Sequence, residues 1–392
     1  MLMDEPPVNL EMLMSTWIHH IETAVPEHAY PQDYAAERMT SWLPDPRTQR
    51  LARFVYKKSG IETRHSVIGD WQPGATPELF KSDDDGHLIE PDTGTRNRFY
   101  IKKAGPLAEK AARAALKNCP GHLAKDVTHL ITVSCTGFYN PGLDFHLVRA
   151  LGLSESVERY NLGFMGCYAA FPALRMAQQF CQVNPQAVVM VVCLELCSLH
   201  LQINGNTDSL LGNAIFADGT AVAIVSSRTP KAHRAAFRLD RFVSAMAPEG
   251  GGDMAWEIGQ NGFNIVLSSY VPDIIAANIK GIVQDTAGQA DEVDLWAIHP
   301  GGKAILDKVQ HELGLTPEHV MASRNILRDF GNMSSVTILF VLQHMLEHQA
   351  EQSARVCAMA FGPGLTIETA MLQLQPAETF APVLRPSLTP AN

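Results

Sequence analysis

The amino-acid sequence predicts an α/β fold made of two duplicated halves. Three observations carry this reading. Short, wholly apolar runs alternate with longer amphipathic stretches, the pattern of buried strands separated by helices. The order of these elements then recurs in the second part of the chain. Finally, 392 residues with 46% hydrophobic and 18% charged side chains supply a large core under a lightly charged surface, which excludes a disordered chain.

The elements follow in order. The first hundred residues read as mixed and loop-rich, with helical character over 49–59. The polar stretch 71–97, holding Asp83, Asp84 and Asp85 among several Gly and Pro, reads as a surface loop. An Ala- and Lys-rich helix is predicted over 107–118, with Pro106 at its start and Pro120-Gly121 just past its end. From 126 the pattern turns to α/β. Strand 127–134 (VTHLITVS) precedes a helix over 141–153. A short polar passage and the glycines of 163–166 then lead into a helix from Cys167 to about Gln182. Apolar strands follow at 187–192 and 221–226, and the alternation predicts parallel pairing.

The second half repeats this order. Strand 293–299 (VDLWAIH) leads to a helix ending near 313, then to Gly331-Asn332, a helix to about 348 and a strand at 355–360. Val127 to Gly166 is 39 positions, as is Val293 to Asn332. Both first helices end in Leu-Gly-Leu, at 151–153 and 313–315. The halves are accordingly placed at 1–235 and 236–392. In such a duplication, symmetry-related helix starts meet at one axis, so each half supplies part of one site.

Charge narrows the partners. With Lys+Arg 31 and Asp+Glu 41, the formal net charge is −10, a poor match to nucleic acid or an anionic membrane surface. Seven cysteines without regular spacing are neither a disulfide framework nor a zinc site, so no metal is expected and free thiols fit a cytoplasmic setting. Residues 1–20 carry Asp4, Glu5 and two prolines rather than a basic and then apolar leader. No run reaches the ~18 apolar residues of a membrane span.

Three residues carry candidate chemistry. Cys167 follows Gly163-Phe164-Met165-Gly166 and precedes a helix-forming run, which puts its thiol at a helix N-terminus. The helix dipole and a nearby imidazolium favour the nucleophilic thiolate there, although most intracellular cysteines are simply small core hydrophobes. His299 ends an apolar strand and is followed by Pro300-Gly301-Gly302; strand ends are where α/β proteins present functional groups. Asn332, in Gly331-Asn332-Met333-Ser334-Ser335, reads either as an N-cap or as an amide donor to a developing oxyanion. Cys193, Cys197 and Cys357 sit in or beside apolar strands, whereas Cys135, in Ser134-Cys135-Thr136-Gly137, lies past a strand end where it lines a cavity.

Four motifs in order, GFMGCYAA around Cys167, WAIHPGGKAILDKV around His299, GNMSS around Asn332 and FGPGLTIET at 361–369, resemble the type III polyketide synthases of the chalcone synthase superfamily. The resemblance runs from about Thr48 to Leu374. It implies a homodimeric thiolase fold, αβαβα, whose two halves form a five-layer core. It also implies an acyltransferase with a Cys167–His299–Asn332 triad, using acyl-CoA and malonyl-CoA as substrates and no resident cofactor. Cys167 takes the starter acyl group and is held as a thiolate by His299. His299 and Asn332 bind the malonyl carbonyl during decarboxylation and stabilise the enolate that attacks the Cys167 thioester.

The resemblance also assigns binding residues. Arg47, Arg50, Arg53, Lys57, Lys58 and Arg64 form a basic segment broken by one acid, Glu62, with Arg50, Arg53 and Lys57 on one helical face. Lys58 matches the family's CoA-contacting lysine; Arg53 and Lys57 join it by proximity, and the backbone of Gly301, Gly302 and Ala304 lies along the CoA tunnel. Phe216, Ile265, Cys197, His200, Cys135, Thr136 and Ser334 are assigned to the substrate cavity. Phe216 matches the gatekeeper aromatic. The second gatekeeper, Phe in the plant enzymes, is Ile265 here; two plant threonines are Cys197 and His200, and the dimer-contact Met is Asn140. These departures argue against a chalcone synthase proper and favour a fatty acyl starter with an alkylpyrone or alkylresorcinol product. A short or aromatic starter is the alternative, with His200 narrowing the cavity. Two further readings stay open: a carrier-protein-dependent ketoacyl synthase of the initiation type, whose His is usually followed by Gln and Ala, and a Cys–His–Asn hydrolase.

Overall fold

The computed structural model describes residues 15–380 apart from Gly86; most of the stretch 1–20 read above lies outside them. Among the described residues thirteen strands follow in order. In the first half these are β1 (Thr16–Ala24), β2 (His28–Pro31), β3 (Thr63–Ser66), β4 (His129–Ser134), β5 (Glu158–Gly163), β6 (Val188–Leu196) and β7 (Asp218–Ser226). In the second they are β8 (Ala236–Met246), β9 (Met254–Gly259), β10 (Gly262–Leu267), β11 (Leu295–Ile298), β12 (Ala354–Gly362) and β13 (Thr366–Gln375).

Nine of these strands form one sheet in the order β11-β12-β13-β8-β1-β7-β6-β4-β5. Its two ends repeat each other. β1-β7-β6-β4 pair antiparallel, antiparallel, parallel, and β8-β13-β12-β11 do the same. The half-sheets join edge to edge where Thr16–Ile18 of β1 pair with Phe237–Leu239 of β8. The predicted all-parallel pairing is therefore corrected to a mixed sheet. β6 and β7 are consecutive members of it and run antiparallel, as do β12 and β13. β1 lay in the region read as loop-rich, and β5 in the short polar passage. β5 was hidden because it is an edge strand with largely exposed side chains, so it carries no apolar run.

Five layers result. The helices Ala170–Val183 and Thr337–His348 form the middle one. They pack with both half-sheets in one core that includes Ile131, Val191, Val356 and Ala370. Thr337–His348 is buried over most of its length, as a central helix must be. The helices Thr93–Asn118 and Leu143–Leu151 cover the outer face of the first half. The helices Val271–Ala287 and Lys303–Glu312 cover that of the second.

Two helix boundaries differ from expectation. The helix predicted from 107 starts at Thr93, capped by the Asp92 carboxylate, and runs through Pro106. Proline removes one N–H, yet this helix buries ten residues and continues through it. The central helix predicted from Cys167 starts at Ala170, leaving Cys167 in the turn before it. No helix among the described residues is long and apolar enough to cross a membrane.

Candidate active site

The turn that carries Cys167 is forced by its glycine. Gly166 has φ +91°, and a Cβ there would stand 2.6 Å from Pro363 Cδ, so the Gly362-Pro363 corner of the second half can close over it. Burial pushes the Cys167 thiol up to about 11, against the lowering effect of the Ser334 and Asn332 side chains. The direction is opposite to the lowering expected from a helix start, because desolvation of the thiolate is the largest effect on this group.

His299 follows β11 directly, its N–H donating to Met359 O at 2.8 Å. The side chain is fully buried, and neither ring nitrogen has a hydrogen-bond partner among the described residues. Burial alone takes its pKa down to about 3, so the imidazole is neutral. Two unsatisfied ring nitrogens are costly unless something in the cavity uses them.

Asn332 is fixed between the halves. Its N–H donates to Ile215 O (2.8 Å), its carbonyl accepts from Ala217 N (2.9 Å), and it forms a bridge with Phe216. Its Oδ1 accepts from Ser334 N at 2.8 Å, which turns the amide NH2 the other way, where it donates to Gly301 O at 3.2 Å and keeps a second N–H. Ser334 itself has φ +49°, a conformation that costs a non-glycine residue and concentrates at working sites.

Cys167, His299 and Asn332 line one cleft of about 600 Å³ together with Cys135, Thr136, Cys197, Phe216, Ile265, Ser334 and Gly301. No Asp, Glu, Lys or Arg lines it among the described residues. The remaining assigned residues lie around it. His200 lines a second chamber of about 810 Å³, bounded by Tyr30, Tyr34, Trp42, Tyr56 and Trp71. The two chambers share Cys197, Phe216, Trp256 and Ile265 as a common wall. His200 is locked there. Its Nε2–H donates to Thr136 O (2.7 Å), its Nδ1 accepts from Phe263 N (3.2 Å), and its ring stacks on Phe263 at 3.8 Å.

Arg53, Lys57 and Lys58 are exposed on the helix Pro46–Lys58. A Cβ on Gly60 would lie 3.4 Å from Lys303 Cβ, which seats the end of that helix against the segment holding Gly301, Gly302 and Ala304. Gly302 and Ala304 stand outside the lining of the cleft, while Gly301 and Ile305 are in it.

Two residues were missed. Glu195 is fully buried and receives Cys135 N (2.9 Å), Thr136 Oγ1 (2.9 Å) and Ser335 Oγ (2.5 Å). It therefore ties the Cys135 loop of one half to the Ser334 turn of the other, and burial pushes it up to about 6. A lone acid inside the apolar strand β6 was the available signal. Trp256 donates its Nε1–H to Cys135 O at 3.0 Å and walls both chambers. The assembly offers a thiol nucleophile, a neutral imidazole and an amide donor around one point. That set suits acyl transfer through a carbonyl, with donors rather than a carboxylate base to meet negative charge on oxygen.

The family model for chalcone and stilbene synthases, N-terminal domain, matches residues 14–229, and that for the C-terminal domain matches 239–376. The "Alpha-pyrone synthesis polyketide synthase-like Pks18" of Mycobacterium tuberculosis is 31% identical over 361 residues, 90% of this chain and 89% of that protein. "Probable polyketide synthase 1" of Dictyostelium discoideum is 31% identical over 337 residues, 83% of this chain but 10% of that much longer relative. The crystal structure of PKS-I from the brown alga Ectocarpus siliculosus superposes with a TM-score of 0.84 at 30% identity, covering 92% of this chain and 98% of that one.

Proposed function

Because the chain belongs to the chalcone and stilbene synthase family, the type III polyketide synthases, we propose that it loads a fatty acyl starter from acyl-CoA onto Cys167. It then extends the starter with malonyl-CoA and cyclises the product to an alkylpyrone or alkylresorcinol. The observation that carries the starter class is the second chamber. It adjoins the catalytic cleft through Cys197, Phe216 and Ile265 and is walled largely by aromatic and aliphatic side chains. Burying an acyl chain there gains about 0.8 kcal/mol per CH2. The pyrone outcome is supported by the name of the mycobacterial relative.

The steps follow from the side chains. Cys167 Sγ gives its proton to His299 and attacks the starter thioester carbon; the CoA thiolate leaves and takes the proton. The malonyl thioester carbonyl then accepts hydrogen bonds from a ring N–H of His299 and from Asn332 Nδ2. These donors stabilise the enolate as CO2 departs. The enolate carbon attacks the Cys167 thioester and returns the thiolate. The lack of a hydrogen-bond partner for either ring nitrogen of His299 among the described residues supports this role, since those nitrogens are left for a guest. Lys58, with Arg53 and Lys57, holds the CoA phosphates. The chain works as a homodimer, with the exposed Phe138 and Phe145 near Asn140 and the edge strand β5 as its contact face.

Mass spectrometry of products from malonyl-CoA and a panel of starters tests this reading. Medium- and long-chain acyl-CoAs should be consumed and an acyl adduct should appear on Cys167. Turnover of aromatic or short starters alone would refute the assigned starter class.

A further inference from the structure

Arg64 stands on β3, half-buried and apart from the exposed cations of the helix Pro46–Lys58. Its guanidinium makes three hydrogen bonds, all to neutral acceptors. Nε donates to Gln32 Oε1 at 2.9 Å, and Nη1 donates to Asn213 O at 2.6 Å and to Phe216 O at 2.7 Å. The last two acceptors belong to the end of the helix Thr207–Ile215 and its C-cap, Phe216. The last carbonyls of a helix have no partner within it, and its C-terminus carries the negative end of the dipole. A fixed cation is therefore well placed there.

The catalytic amide is tied to the same helix end. Four successive carbonyls take donors from outside the helix. Arg64 serves Asn213 O and Phe216 O, Gln32 Nε2 serves Ala214 O at 2.7 Å, and the N–H of Asn332 serves Ile215 O at 2.8 Å. Ala217 N returns a bond to Asn332 O at 2.9 Å. Arg64 also packs on the Asn332 turn itself. Gly331 has φ +73°, and a Cβ there would stand 2.9 Å from Arg64 Cγ and 3.0 Å from Ile215 O. The stem of Arg64 thus lies in the space that the bare glycine leaves. Ser334 N sets the direction of the Asn332 side chain, but the backbone from which that side chain projects is held by Ile215 and Ala217, on a segment that Arg64 holds in turn.

We infer that Arg64 is a positioning residue for decarboxylation, acting through Asn332. It fixes the helix end 213–216, and this registers the Asn332 amide against the malonyl thioester carbonyl. The inference rests on the reading of Asn332 as a donor to that carbonyl. Without the guanidinium, Asn213 O and Phe216 O lose a donor, the helix end relaxes, and the Asn332 backbone moves with Ile215. A donor displaced by about 1 Å from its working place costs up to about 10²-fold in rate. Lysine is no substitute, because a single ammonium lacks the planar fork that reaches Gln32 and the helix end together.

A double-mutant cycle tests this on the full-length chain. Malonyl-CoA decarboxylation is read as CO2 release for the unaltered chain, Arg64→Met, Asn332→Ala and the double variant; the acyl adduct on Cys167 shows that each variant folds. Arg64→Met should lower decarboxylation by about tenfold or more when Asn332 is present. On the Asn332→Ala background the same change should cost less than about twofold, because nothing is left for Arg64 to position. Arg64→Lys serves if Arg64→Met does not fold, and it should show the same dependence on Asn332 with a smaller loss. The inference is overturned if Arg64 variants lower decarboxylation by equal factors on both backgrounds, which is the signature of a general loss of structure. It is also overturned if they leave decarboxylation unchanged, or if adduct formation falls as far as decarboxylation does. An Asn332→Ala variant that decarboxylates normally would sink the reading of Asn332 and this inference with it; a normal Asn332→Ala loss with an additive cycle sinks this inference alone.

Discussion

The turn before Cys167 and the turn before Asn332 occupy equivalent places in the two halves, and they are built with the same device. Each begins with a left-handed glycine, Gly166 at φ +91° and Gly331 at φ +73°, and each leads into one of the two central helices. By conformation, Gly331 and not Asn332 is the counterpart of Gly166. The hydrogen bonding differs. Asn332 is tied at its backbone N–H, its carbonyl and its Oδ1, so its amide points one way. Cys167 keeps a proton that it can give up, in a setting that resists the charge. One scaffold thus holds a donor still and leaves a nucleophile waiting for activation. The lesson is that the duplicated backbone chooses where chemistry happens, and the local hydrogen-bond partners choose which chemistry.

Removing each side chain separates the two roles. Cys167→Ala should abolish acyl loading, a loss of at least ~10³-fold in overall turnover, while malonyl-CoA decarboxylation continues. Intact-protein mass spectrometry and CO2 release report the two. A hydrolase would show no decarboxylation to preserve. Asn332→Ala should keep the Cys167 adduct and lower decarboxylation by about 10²–10³-fold, the usual effect of losing one oxyanion donor. Equal loss of loading would show that Asn332 acts on the thiol rather than on the malonyl carbonyl.

The glycines test the backbone half of the comparison. A Cβ at Gly166 would meet the rigid ring of Pro363 at 2.6 Å, whereas one at Gly331 would meet Arg64 Cγ at 2.9 Å and Ile215 O at 3.0 Å. Either alanine costs about 1–3 kcal/mol for its left-handed conformation. Gly166→Ala should also push the nucleophile's turn off the Gly362-Pro363 corner and slow loading. Gly331→Ala is expected to lower the thermal midpoint and leave loading near normal. Loading lost equally in both would mean that the two turns move as one unit.

These residues also mark how far the sequence was legible. Cys167, His299 and Asn332 were readable together only through the four motifs that resemble a known family, since each alone fits a core cysteine, a strand-end histidine or an N-cap; the structure gathers all three at one cleft. The basic helix was readable from its i, i+3, i+7 spacing. Glu195 was not, because an acid within nine buried strand residues gains its meaning only from Cys135, Thr136 and Ser335, which are 60, 59 and 140 positions away. The second chamber was equally hidden. Its walls come from the N-terminal helices, the His200 turn and β10, and no local pattern joins Tyr30 to Phe263. β5 was missed for the opposite reason: an edge strand that exposes its side chains looks like a loop.

The smallest effect bears on the proton that distinguishes the two turns. With the thiol held at about 11 and His299 at about 3, the pair is neutral near pH 7. The thiolate fraction then rises about tenfold per pH unit on the approach to the thiol pKa. Iodoacetamide alkylation of Cys167 should accelerate steadily from pH 7 to 10, with no plateau. Ser334 lowers the thiol pKa by hydrogen bonding, so Ser334→Ala raises it and slows alkylation several-fold at any pH in that range. A rate already flat by pH 7 would show a preformed thiolate–imidazolium pair, the arrangement that the family resemblance implies. In that case the first turn would hold its charge as firmly as the second holds its amide, and the contrast between them would collapse.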